Sequence, residues 1–157
     1  MLYQPALPRF DLGMQYWFDS QFAVNLGVFF ATHDFSDSGK SYSVKFVGYG
    51  VDLKYYFDVR NSSAVLSFSN PFLLFGAGSM SQSQTQIQNN LPNTDTSFSV
   101  DFGGGLEFPI SYKKTYFILE AKYNTQNFQD TNESTFSRVP DLSGGFFSLL
   151  GQFMFTW

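Results

Sequence analysis

Apolar side chains recur at every second position along most of this chain. In Arg9–Phe18 the even positions are Phe10, Leu12, Met14, Tyr16 and Phe18, while Asp11, Gly13, Gln15 and Trp17 take the odd ones. A period of two is the mark of a strand with two unlike faces. Phe22, Val24, Leu26, Val28 and Phe30 repeat it, followed by Val47, Tyr49, Val51, Leu53, Tyr55 and Phe57 opposite Gly48, Gly50, Asp52, Lys54 and Tyr56. Further along, Phe98, Val100, Phe102, Leu106 and Phe108 share one face, as do Phe117, Leu119, Ala121 and Tyr123, and finally Phe147, Leu149, Gly151, Phe153, Phe155 and Trp157. The stretch Asn70–Ser83 carries apolar residues in both registers. Taking Leu73, Phe75 and Ala77 as its apolar face aligns Gly76 and Gly78 with the glycines of the opposite face elsewhere. Seven strands follow from the pattern.

The charges inside these segments are Asp11, Asp52, Lys54, Asp101, Glu107, Glu120 and Lys122, and every one avoids the apolar face. Independent choices between two faces would give that outcome about once in a hundred. Connections alternate in length: short at Asp19–Gln21, long at His33–Ser41, intermediate at Asp58–Ser69, long at Gln84–Thr96, short at Pro109–Lys114 and long at Gln129–Asp141. Short turns at one end and long polar loops at the other are the asymmetry of an outer-membrane barrel. Pro109 suits a turn better than a central strand. A three-residue link between Phe18 and Phe22 keeps their apolar faces aligned, whereas a two-residue link would not.

Composition decides which face is inside. The chain has 157 residues, 20% of them aromatic and 14% charged, with a formal net charge of -4 and no cysteine. A soluble barrel turned the other way would enclose the aromatics, yet soluble exteriors carry roughly 25–35% charge. Three or more Phe or Tyr on nearly every strand would also overfill a small barrel's interior. Facing lipid they have room, and those near strand ends form aromatic girdles. The expected fold is therefore an all-β, antiparallel, up-and-down transmembrane barrel, a single domain over residues 1–157. No apolar run approaches the ~18 residues of a spanning helix. The acidic balance argues against nucleic-acid binding, and the absence of cysteine removes disulfides, thiolate metal sites and thiol nucleophiles.

From Phe10 to Trp157 the sequence resembles the small OmpA-type outer-membrane barrels, through the hairpin Phe10–Val28, the segment Phe72-Leu-Leu-Phe-Gly-Ala-Gly and the aromatic C-terminus. The resemblance implies integral residence in the bacterial outer membrane, with outer-membrane lipid as surroundings. Phe153, Phe155 and Trp157 resemble the C-terminal signal by which the assembly machinery recognises barrel substrates, although Gly151 sits one place from that signal's usual glycine. The hairpin Phe10–Phe30 looks like the second and third strands of an eight-stranded barrel. An antiparallel barrel closes on an even number, and Met1–Pro8, interrupted by Pro5 and Pro8, is shorter than the ~9–11 residues needed to cross. The expectation is a barrel lacking its leader and first strand, with an unpaired edge between the first and last strands seen here.

Chemistry-bearing groups are few. Asp11, Asp52, Lys54, Asp101, Glu107, Glu120 and Lys122 point inward and are expected to form a mixed-charge network that plugs the lumen, Lys122 lying opposite a residue between Asp101 and Gly105. A gate or proton path is the alternative use of such a network. Glu107 and Glu120 form an acid pair without a nucleophile or oxyanion site beside them. His33, the only histidine, stands near Ser36 and Ser38 as an outer-membrane acyl hydrolase would require, but among Asp34 and Asp37 it reads as a solvated loop residue. Asp34, Asp37 and Gly39 lack the spacing of a calcium loop, and Gly103-Gly104-Gly105 opens no helix that would cradle phosphate. No cofactor or metal is expected. The function expected is non-enzymatic: a structural or interaction protein that meets a protein partner, or a second copy, through its outer loops. Alternatives are a narrow pore or conduit for small or apolar solutes, supported by inward Phe29, Phe146, Leu150 and Met154, and a lipid-modifying enzyme.

Overall fold

The computed structural model describes residues 9–37, 40–59, 68–86, 92–111, 114–126 and 144–156. They form seven strands: β1 (Arg9–Trp17), β2 (Phe22–Asp37), β3 (Lys40–Tyr56), β4 (Asn70–Gln86), β5 (Pro92–Ser111), β6 (Thr115–Gln126) and β7 (Gly144–Phe155). The strands make one sheet in sequence order, every neighbouring pair antiparallel. Among the described residues no ladder joins β1 to β7. Met1–Pro8, on which part of the strand count turns, lies outside the described residues.

The apolar face is the exposed face. Phe10, Leu12, Met14 and Tyr16 on β1, Phe75 on β4, Phe98 and Phe102 on β5, and Phe147, Leu149 and Phe153 on β7 all present their side chains outward. Leu73 and Phe75 join that face, with Gly76 inward, which settles the register of β4. The opposite face is concave, because β3 and β6 stand three strand spacings apart, about 14 Å along a flat sheet. Lys122 Nζ on β6 nevertheless reaches Asp52 Oδ2 on β3 at 2.9 Å. Only a sheet rolled around a common axis brings these atoms together.

The first turn is the expected three-residue link: Phe18 N donates to Phe22 O at 3.0 Å, and Asp19 Oδ1 accepts from the backbone N–H groups of Gln21 and Phe22. Three expectations about connections are corrected. The ladder between β2 and β3 continues to Asp37 opposite Lys40, so most of His33–Ser41 is strand. Most of Gln84–Thr96 is likewise strand, β4 running to Gln86 and β5 starting at Pro92, with Thr85 opposite Pro92. Thr, Ser, Gln and Asn on both faces abolish the polarity contrast that marks a strand, yet the ladder needs only backbone pairing. Pro109 lies inside β5 opposite Tyr116, beside a register shift before Ser111 that accommodates its missing N–H. The segment Gln129–Asp141 is outside the described residues.

Candidate functional site: the lumen

Two layers fill the concave side. At the short-turn end, Ala23, Tyr56, Phe72, Leu74 and Ile118 form the buried apolar cluster, with Met154 packed against it. These residues sit near the turn-side termini of β2, β3, β4, β6 and β7, so their side chains converge as a plug. The run Phe72-Leu-Leu-Phe is apolar on both faces because here one face meets lipid and the other the plug. Trp17 extends the layer, its ring 4.3 Å from that of Tyr56.

Immediately above lies the charged layer. Lys54 and Glu120 are 1% and 2% exposed, and Lys54 Nζ is 3.4 Å from Glu120 Oε2 while standing 4.3 Å over the Phe72 ring. Lys122 is shared among three carboxylates: Asp52 at 2.9 Å, Glu120 at 3.6 Å and Asp101 at 3.8 Å. Asn25 Nδ2 donates to Asp52 Oδ2 at 3.3 Å, and Asn124 Nδ2 to Asp101 Oδ1 at 2.6 Å. Glu107, fully buried, accepts a hydrogen bond at Oε1 from Tyr56 OH, which in turn accepts from Gln15 Nε2 at 3.0 Å. That chain crosses the lumen from β5 through β3 to β1. The other oxygen of Glu107 has no hydrogen-bond partner among the described residues.

Glycines make the charged layer possible. Asp52 faces Gly76 across the β3–β4 ladder, Lys122 faces Gly103 and Glu120 faces Gly105 across β5–β6. A Cβ on Gly76 would strike the Asp52 carboxylate, one on Gly103 the backbone of Ala121, and one on Gly105 both Leu119 O and, at 2.6 Å, Phe72 Cζ. The missing side chains supply the space in which three long polar ones lie across a narrow interior. This gives Gly103 and Gly105 a packing role, unrelated to phosphate.

Of the seven inward charges, Asp52, Lys54, Asp101, Glu120 and Lys122 are brought together, and Glu107 joins through Tyr56 at the boundary of the plug. Asp11 does not join. It sits toward the opposite end of β1 and pairs with Arg9, whose Nη2 lies 2.6 Å from Asp11 Oδ1. The strand period sets residues two apart on one face, so the nearer cation wins. Arg9 also stacks 4.0 Å over the Phe29 ring. Sequence reasoning missed Tyr56 and Gln15 as members of the lumen network, although their parity with Lys54 and Asp11 was the available signal. His33 lies within β2, opposite Val44. Among the described residues no group of three or more His, Asp or Glu is arranged to hold a metal ion. Phe153 and Phe155 are outward on β7, and Trp157 lies outside the described residues.

An apolar exterior, an up-and-down antiparallel sheet and a polar interior closed by ion pairs define the wall of a membrane-spanning β-barrel. The family model for the outer membrane protein beta-barrel domain matches residues 6–139, and the chain belongs to that family. It is a protein of the bacterial outer membrane. No curated relative and no solved structure matches the chain.

Proposed function

We propose that this protein is a non-enzymatic barrel with a plugged lumen that serves as a lipid-embedded platform, presenting the β2–β3 and β4–β5 hairpins to a partner outside the membrane. The observation that carries the reading is the double filling of the lumen, an apolar plug under a charged layer in which Lys54, Glu107 and Glu120 are almost fully buried. Its polar groups are tied to one another across the lumen rather than set out as a nucleophile with its base. The outward aromatics take outer-membrane lipid as their surroundings, and Phe153 and Phe155, with Trp157 after them, suit recognition by the assembly machinery. Reconstitution into planar bilayers tests the plug: the platform gives no steady channel, and a stable single-channel conductance refutes it. Labelled outer-membrane lipid incubated with the protein should release no acyl chain above that seen with His33→Ala.

The second reading is a narrow conduit. It is favoured by the imbalance of the charged layer, in which four carboxyl groups, Asp52, Asp101, Glu107 and Glu120, face two lysines, Lys54 and Lys122. A pore lined this way prefers cations. Reversal potentials in asymmetric KCl distinguish it from an unselective leak.

A further inference from the structure

We propose that the outward face of β3, β4 and β5, at the end where the long hairpins rise, is a binding site for the headgroup of a phosphorylated saccharide lipid of the outer leaflet. On β4 the apolar band is cut short. The outward row of β3 runs from Phe57 to Val47 and that of β5 from Phe108 to Phe98 without a polar residue, about eleven residues each and enough to cross a bilayer. The matching row of β4, Leu73, Phe75 and Ala77, gives way to Ser79, Ser81 and Ser83. The ladders set Ser79 between Tyr49 and Phe98, Ser81 between Val47 and Thr96, and Ser83 between Lys45 and Thr94. Hydroxyls thus enter the band one row before β5 turns polar at Thr96 and two rows before β3 does at Lys45.

The inset is ordered and carries a charge. Cross-strand hydroxyl pairs, Ser81 with Thr96 at 3.0 Å and Ser83 with Thr94 at 3.1 Å, fix four of the oxygens, and each keeps lone pairs for a ligand. Lys45 is exposed, and neither it nor Ser79 makes a hydrogen bond or ion pair among the described residues. Beside lipid an unpartnered polar group is costly, so a headgroup that brings partners is favoured over one that lays methylenes across the inset. The ammonium calls for an anion, and phosphate is one that lysine binds as a point charge. Hydroxyls spread over about 13 Å of strand call for a ligand that both donates and accepts along that length, as a saccharide does and a bare phosphate or an acyl chain does not. Tyr49 and Phe98, both exposed, frame the lower edge of the inset with apolar ring faces against which the first methylenes of the lipid can lie. A soluble partner would have to displace lipid to reach this level, whereas a lipid headgroup already resides there.

The site depends on the membrane placement of the barrel and not on the plugged lumen or on a partner of the hairpins. The test uses the whole chain in detergent micelles, titrated separately with monophosphoryl lipid A, phosphatidylglycerol and digalactosyldiacylglycerol, the bound lipid being counted by native mass spectrometry. Lipid A, which carries both sugar and phosphate, should bind about tenfold more tightly than either of the others. Lys45→Met and the double variant Ser79→Ala with Ser81→Ala should each weaken it about fivefold or more, and Thr115→Ala, at the opposite end of the barrel, should not. Folding of these variants into phosphatidylcholine liposomes, which offer neither sugar nor net charge, should match the parent. Equal affinity for phosphatidylglycerol would mean that phosphate alone is read, equal affinity for the galactolipid that Lys45 takes no part, and unchanged binding by the variants that the lipid sits elsewhere; each result overturns the proposal. Should a variant lose its sheet signal, the unaltered protein decides: a photoreactive lipid A should cross-link to β3, β4 and β5, and labelling spread evenly over all strands overturns the site.

Discussion

Replacing Lys122 by Met tests whether the charged layer holds the barrel together. The ammonium lies within 4 Å of three carboxylates, at 2.9, 3.6 and 3.8 Å, and its side chain is 7% exposed. Methionine keeps the length and apolar stem of lysine and removes the charge. Asp52 is left with Asn25, Asp101 with Asn124, and Glu120 with Lys54, so four carboxyl groups remain around one lysine in a space closed to water. Removing one partner of a buried pair costs about 3–5 kcal/mol, because the uncompensated charge stays behind. That range is roughly a 10²- to 10⁴-fold loss in the folding equilibrium. Urea-dependent, reversible folding into liposomes measures it, with Lys45→Met as the control, since Lys45 is exposed on β3. A double-mutant cycle with Asp52→Asn then isolates the direct pair, whose coupling should lie near 0.5–3 kcal/mol. A loss for Lys122→Met below about 1 kcal/mol, or equal to that of Lys45→Met, would refute the idea that the network is energetically coupled.

Phe102→Arg places charge on the lipid face of β5 and should destabilise by roughly 2–4 kcal/mol in the same assay; under about half that lower bound, the orientation of the barrel is wrong. Gly105→Val drives a side chain into Leu119 O and the Phe72 ring and should cost about 1–3 kcal/mol or more, whereas Gly151→Ala, with Phe117 no closer than 3.6 Å, should fold almost as the parent does. Tyr56→Phe breaks the Gln15–Tyr56–Glu107 chain and should lower stability by about 1–3 kcal/mol. The double variant Tyr56→Ala with Leu74→Ala removes the heart of the plug and should produce cation-preferring conductance in planar bilayers; a silent bilayer would show that the charged layer alone closes the lumen.

Most of the wall is legible in the sequence, and particular residues explain why. Phe18 and Phe22 share a face, so the first turn could have only one register, and Lys122 falls opposite Gly103, inside the window expected from the β5–β6 connection. Both inferences rest on a strong contrast between apolar and polar faces. Contrast fails around Ser83 and Thr94, where polar residues at successive positions conceal a strand held by the backbone ladder and by a hydroxyl–hydroxyl contact between these two side chains. At Tyr56 the parity with Lys54 is plain and the face is legible, but an aromatic ring among polar residues gives no sign that its hydroxyl donates to Glu107. Asp11 shows a third limit. Facing inward does not make a residue part of the network, and its height along β1 and the nearness of Arg9 settled its partner.

The strands β2 to β5 are 16, 17, 17 and 20 residues long, while about 9–11 suffice to cross a bilayer. On β3, Lys45 is the charge that ends the outward apolar row of Val47, Tyr49 and Val51, and it stands five positions from Lys40, about 16 Å of strand, or about 12 Å of height at the tilt usual for such barrels. The headgroup zone is only about 5–8 Å deep on each side. The β2–β3 ladder, which runs to Asp37 opposite Lys40, thus extends beyond the headgroup zone as a ladder-bonded mast. Sequence at the top of such a mast can drift, lengthen or be exchanged without touching either the bilayer or the ion pairs below, so the barrel's stability and the identity of what it displays are free to evolve separately.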